Sequence, residues 1–310
     1  MIRRILLFLL VPVSFLAKSQ EDTTYWRAGL SSTIAFSQLS LTNWASGGQN
    51  SIALNSGLTL FADYAKEKIS WKNKIDLAYG FIQQKDDGYR KSDDRIIVIT
   101  EFGYLISRKP NRMKWTTMID FKTQFDKGYN YPNDSMKISD FMAPGYLTIV
   151  TGLEYSPKPH LTVLYSPVSG KFTFVNDQRL SNAGGFGVEG AVYDIDGILI
   201  QDGKNLNSEF GSYMRVQFEK EVMTNVTVFS KAEFFTDYLM DFGIIDVNWE
   251  SKLDMKINNW LSANLILHLI YDRDIRFEVT DANGIITGTE DRIQFKEYLG
   301  VGFKYNVSNR

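Results

Sequence analysis

The chain has 310 residues, with 34 Lys and Arg against 36 Asp and Glu, and a formal net charge of -2. That balance gives no footing for a nucleic-acid partner, which calls for clustered positive charge. The absence of cysteine excludes a disulfide framework, a thiolate nucleophile and a lipoprotein acylation site.

The first residues read as a secretory signal. Arg3 and Arg4 form a positive start, Ile5 to Ala17 an apolar core, and Ala17-Lys18-Ser19 places small residues where a signal peptidase reads. Cleavage is expected before Gln20, leaving 20–310 as a single domain. The apolar run is short for a spanning helix, which needs about 20 residues.

From Tyr25 onward, apolar and polar residues alternate with period two in long segments. About twelve such segments are expected, beginning near Arg27, Ser51, Ile69, Arg95, Met113, Tyr146, Leu161, Glu209, Val226, Ile245, Leu261 and Ile293. Ile245 to Ile257 is the clearest. Val247, Trp249, Leu253 and Met255 share one face; Asp246, Glu250, Lys252, Asp254 and Lys256 share the other. Aromatics make up 14% of the chain, and several fall near strand ends on the apolar face. Trp71, Trp115, Tyr155 and Tyr305 mark one end, and Tyr79, Trp249 and Tyr271 the other. The connections alternate short and long, the longest spanning Val168 to Ser208. The expected fold class is all-β: a transmembrane antiparallel up-and-down barrel in the outer membrane of a Gram-negative bacterium. Short turns and both termini would be periplasmic, and long loops extracellular. A β-sandwich is the competing fold, but the segments are long for it, since globular strands average about 5 to 6 residues.

The polar faces carry both charge signs and would line the lumen. The basic candidates are Lys72, Lys74, Arg95, Lys114, Lys122, Arg215, Lys231, Lys252, Lys256 and Lys296. The acidic ones are Asp76, Glu101, Asp120, Glu154, Glu219, Glu233, Glu250 and Asp254. A mesh of ion pairs that fills or narrows the lumen stands beside an open polar channel as the two readings. Of the two histidines, His160 falls on a short turn and His268 faces the lumen. No serine lies within two residues of either, so nothing local supports a serine hydrolase.

Gly185, Gly187 and Gly190 match G-x-G-x-x-G but lack the strand and helix that a phosphate cradle needs. Asp194, Asp196 and Asp202 are weak calcium candidates, because the bidentate glutamate of an EF-hand loop is missing. Nothing calls for a cofactor, and no catalytic residue is assigned.

Several blocks resemble one family. They include Asn43-Trp44-Ala45-Ser46-Gly47-Gly48, Trp71-Lys72-Asn73, Arg90 to Arg95, Thr123 to Tyr129, Ser139 to Tyr146, Gly170 to Asp177, Asp246 to Glu250 and Ile270 to Ile275. The family is domain of unknown function 3078, found in Bacteroidota, and the resemblance runs roughly from Trp26 to Tyr305. It implies an uncharacterised cell-envelope barrel and supplies no catalytic residues. Because barrel loops carry specific function on a rigid scaffold, Asn43, Trp44, Gly47, Gly48, Asp140, Phe141, Pro144, Lys171 and Asp177 are loop or constriction candidates. Ser139 to Tyr146 and Gly170 to Asp177 are candidates for a plug. The last strand, with Leu299, Val301, Phe303 and Tyr305 outward, resembles the segment read by barrel-insertion machinery. Expected contacts are outer-membrane lipid and lipopolysaccharide, that machinery, and protein partners at the loops. The expected role is passive transport or envelope structure. An enzyme acting on lipid or lipopolysaccharide and a loop-mediated scaffold are the alternatives.

Overall fold

The computed structural model describes residues 25–40, 51–84, 88–107, 112–131, 133–240, 242–280 and 286–309. The expected secretory signal over residues 1–19 and the candidates Asn43, Trp44, Gly47 and Gly48 lie outside them.

Twelve strands close into one antiparallel barrel, each beside its neighbours in the chain. They are β1 (Trp26–Leu39), β2 (Ser51–Lys66), β3 (Ile69–Gln84), β4 (Gly88–Leu105), β5 (Met113–Thr123) and β6 (Gly145–Lys158). β7 (Leu161–Phe174), β8 (Leu206–Met223), β9 (Val226–Asp237), β10 (Asp246–Lys256), β11 (Leu261–Tyr271) and β12 (Gln294–Ser308) complete the ring. Closure leaves no open sheet edge and satisfies the backbone within the sheet, which is what a hydrocarbon surrounding demands. Among the described residues no helix is long and apolar enough to cross a membrane.

The alternation sorts side chains as the sequence predicts. Trp71, Trp115, Ile119, Tyr155, Leu299 and Tyr305 are exposed on the outer surface. Polar groups on that surface bond to one another. Trp71 Nε1 donates to Thr100 Oγ1 at 2.7 Å, and Thr100 donates to Asn73 Oδ1 at 2.8 Å. Trp26 packs at 5.8 Å from Trp71, and Trp260 stacks on Phe303 at 5.3 Å, forming an aromatic girdle near the short turns.

Two expected boundaries move. β4 begins at Gly88, not near Arg95, so much of the segment 83–94 is strand. A bulge shifts the register between Gly80 and Phe81, so that Gly80 faces Asp93 and Phe81 faces Lys91. The bulge interrupts the alternation that would have revealed the strand. β7 likewise runs on through Gly170–Phe174. Pro167 lacks an N–H and breaks the pattern, and Ser166 Oγ contacts the carbonyls of Thr151 and Val168, both at 2.7 Å. Gly211, opposite this break, must be glycine, because a Cβ there would sit 1.8 Å from the Thr236 carbonyl.

The long loops hold their own structure: hairpins Gly128–Asn130 with Asn133–Ser139, Val192–Tyr193 with Leu199–Gln201 and Arg276–Thr280 with Ile286–Asp291, and a short helix, Gln178–Asn182. β1 and β12 meet over only Gly29–Ala35 and Gly302–Ser308, the shortest pairing in the barrel. β1 pairs with β2 along its full length.

Candidate functional site

The lumen has two unlike walls. On β5 to β9, Met118, Val150, Leu164, Tyr213 and Phe235 form a buried cluster inside the barrel. Buried charges accompany it. Arg215 Nη2 lies 2.5 Å from Glu101 Oε2, and Lys72 lies 3.5 Å from the other oxygen. Lys114 pairs with Glu154 at 3.4 Å, and Thr116 also donates to Glu154.

One level along, Glu233 takes Lys122 at 3.5 Å, Lys231 at 3.2 Å and the Tyr213 hydroxyl at 2.8 Å. Lys122 also pairs with Asp120 at 3.0 Å. Asn248 donates to Glu233 and contacts His268 Nε2 at 2.8 Å. Toward the long loops, Lys171 is ringed by Glu209 (3.4 Å), Asp246 (3.0 Å), Asp272 (3.2 Å) and Asp274 (4.0 Å).

The opposite wall is open. A cavity of about 1140 Å³ is lined mostly from β8 to β12 and β1 to β5, and Tyr146, Thr148 and Lys171 of β6 and β7 also reach it. Its lining includes small residues, among them Ser31, Thr33, Ala35, Gly57, Gly300 and Gly302, together with charged ones. Arg95 pairs with Asp76 at 3.6 Å, Lys296 with Asp93 at 2.9 Å, and Lys304 with Asp254. Lys74, Lys256, Glu219 and Glu250 also line it, without an ion pair among the described residues. The lumen candidates therefore come together around one interior, in which an ion-pair mesh borders a hollow; Asp120, Lys122, Lys171 and Glu233 belong to both.

The loop candidates need correction. Lys171 is no loop residue; it faces the lumen from β7. Asp140, Phe141, Pro144 and Asp177 do lie on the loops 124–144 and 175–205, which form a cap at the mouth; Gln124 and Pro144 of the first loop also line the interior cavity. Their apolar residues Ala143, Val175, Leu180 and Val188 bury one another. Asn176 N donates to the Met142 carbonyl at 2.8 Å. Lys137 clasps both loops, at 2.6 Å from Asp140 and 2.5 Å from Asp177. Those bonds raise the Lys137 pKa. Burial pushes both carboxyls up, but Lys137 and a backbone N–H outweigh it and hold them below the usual carboxylate range. Asp177 also caps the helix Gln178–Asn182 through Leu180 N. Phe141 is exposed.

Asp194, Asp196 and Asp202 do not converge. Asp194 closes its own hairpin through the amides of Asp196 and Ile198, and Asp202 accepts from Asn182. Gly185–Gly187 is a single 3₁₀ turn, and a Cβ on Gly187 would meet Asp274 at 2.7 Å, so the turn reaches the Lys171 cluster. His160 packs edge-on against Phe218 at the rim, apart from His268. Sequence reasoning missed Glu209 and Tyr213 as lumen partners. The period-two pattern held the signal for each.

Residues 36–129 match the family model described as protein of unknown function (DUF3078), the family that the sequence blocks resemble. No curated protein matches the chain. Among solved structures, it is similar to an outer membrane channel from Pseudomonas putida F1 with a TM-score of 0.40 and 8% identity, covering 96% of this chain and 99% of that one. It is also similar to the translocator domain of the autotransporter NalP from Neisseria meningitidis, with a TM-score of 0.35 and 9% identity, covering 94% and 90%. Likeness at this level leaves the role to be read from the barrel itself.

Proposed function

We propose that this chain, residues 36–129 of which carry the DUF3078 signature, sits in a bacterial outer membrane and lets small polar solutes cross passively along its open wall. One observation carries this reading: a cavity of about 1140 Å³, lined by charged, polar and apolar side chains, inside a closed barrel whose outer face is apolar and girdled by aromatics. The short turns would face the periplasm, and the long loops would cap the outer mouth among lipopolysaccharide. Barrel-insertion machinery would place the chain there. The lumen acts without covalent chemistry: its side chains replace part of a solute's hydration shell, and the loop cap sets access.

The test is single-channel conductance of the refolded protein in planar bilayers. Thr33→Trp, which puts a large ring among the small residues of the open wall, is expected to cut conductance about twofold or more. Unchanged conductance would remove the open wall from the path; no conductance in the unmodified protein would end the pore reading.

A second reading, a scaffold for protein partners, draws support from the hairpin Val192–Tyr193 with Leu199–Gln201. Ile195, Ile198 and Ile200 are exposed at and beside its tip. Co-purification in mild detergent, with and without Ile195→Ser and Ile198→Ser, tests it.

A further inference from the structure

Charge along the open wall is uneven. Lys304 Nζ bonds Asp254 Oδ2, and Lys252 Nζ approaches the same oxygen at 3.9 Å. Lys252 also lies within electrostatic reach of Lys74 and Asp76, which project from β3. β3 stands across the ring from β10, with β11, β12, β1 and β2 between them on the shorter arc. Basic groups from two facing walls therefore look at each other over the lumen.

The acids at this level are already committed. Asp76 accepts from Thr59 at 2.9 Å and pairs with Arg95, while Asp254 is shared by two lysines. Lys74 has no hydrogen-bond or ion-pair partner among the described residues. Four cations (Lys74, Arg95, Lys252 and Lys304) thus share these two carboxylates, while Glu250, two residues from Lys252 on the same face of β10, carries a third without an ion pair among the described residues. Glu219 and Glu221 line the cavity from β8, and Lys256 from the end of β10, but none of them figures among the main charges acting on Lys252. Lysine ammoniums behave as compact, rotatable point charges suited to phosphate and carboxylate oxygens. Ser31, Thr33 and Ala35, on β1 between these two walls, carry small side chains, which leaves room for a ligand.

We propose that Lys74, Lys252 and Lys304 form an anion subsite within the lumen that takes a phosphate- or carboxylate-bearing solute. The proposal deepens the pore reading and rests on it for transit, while occupancy of the subsite does not need it.

Two measurements on the full refolded chain separate these. The reversal potential in a KCl gradient is expected to show preference for chloride. Lys74→Gln with Lys252→Gln is expected to lower that preference about threefold or more, and the corresponding Glu pair to invert it. Calorimetric titration with inorganic phosphate is expected to show binding that the Gln pair weakens. Should the pair fail to fold, as judged by heat-modifiable gel mobility, Lys74→Gln alone carries both tests, since it breaks no bond. A barrel without conductance whose phosphate binding depends on these lysines keeps the subsite and loses the pore. A barrel with no lysine-dependent phosphate binding and no lysine-dependent anion preference overturns the subsite, whether or not it conducts.

Discussion

The two walls of this lumen are built by one rule and end in opposite states. Both alternate outward apolar with inward polar residues, and both carry inward charges of each sign. What separates them is side-chain volume. Met118, Leu164, Tyr213, Arg215 and Phe235 meet across β5 to β9 and exclude water, whereas Ser31, Thr33 and Ala35 leave the far side hollow. A barrel of intermediate size can be filled or left open by such choices alone. Charge then acquires different meanings. On the packed wall it must be paired to be tolerated; on the open wall paired charges stand beside ones without an ion pair among the described residues, such as Lys74 and Glu250.

The largest test of this contrast is Arg215→Leu. Arg215 and Glu101 side chains are 7% and 11% exposed. Removing one partner strands the other in a low-dielectric interior, a cost of about 3–5 kcal/mol. Urea unfolding in lipid vesicles should show it, and adding Glu101→Leu should recover most of the loss. Lys252, at 35% exposure on the open wall, should cost less than about 1 kcal/mol when changed to Gln. Equal losses at both sites would erase the distinction.

A smaller effect is expected at the loops of the packed wall. Lys137→Ala should loosen the cap by at most about 1 kcal/mol, since the pair is partly solvated. It should appear as more frequent closures and openings in bilayer recordings. The sign of the pH response follows from the shifts. Asp140 and Asp177 titrate below their ordinary value, so their contribution is full above it and is lost only as pH falls through the depressed values. Lys137 titrates above its ordinary value, so its contribution is full below that value and fades as pH climbs past the raised one. The cap should therefore hold from mild acid to mild alkali and release in strong acid. Release near neutrality would contradict the clasp.

The smallest effect compares turns. At the β8–β9 turn Asn225 takes φ 65°, a conformation asparagine tolerates; at the β2–β3 turn Glu67 takes φ 52°. Glu67→Asn should stabilise the open wall's turn by about 0.5 kcal/mol, read from the same urea curves.

The strand pattern was legible because the period-two alternation runs through nearly every spanning segment, and the lumen candidates followed from parity. It failed where parity slips. The bulge between Gly80 and Phe81 concealed the start of β4, and Pro167 concealed the end of β7, which put Lys171 in a supposed loop. The ring of acids around Lys171 had no local signal, since Asp246 and Asp272 come from far along the chain. Nor could the sequence separate the filled wall from the hollow one. That depends on volumes summed across many strands.

The short seam between Gly29–Ala35 and Gly302–Ser308 joins the first strand to the last. It is the one joint that cannot form until every other strand is present, so completion of the ring waits on the C-terminal end of the chain. Exposed backbone in hydrocarbon is costly, which sets urgency on that final step. A pull that unravels the finished molecule should part it there first.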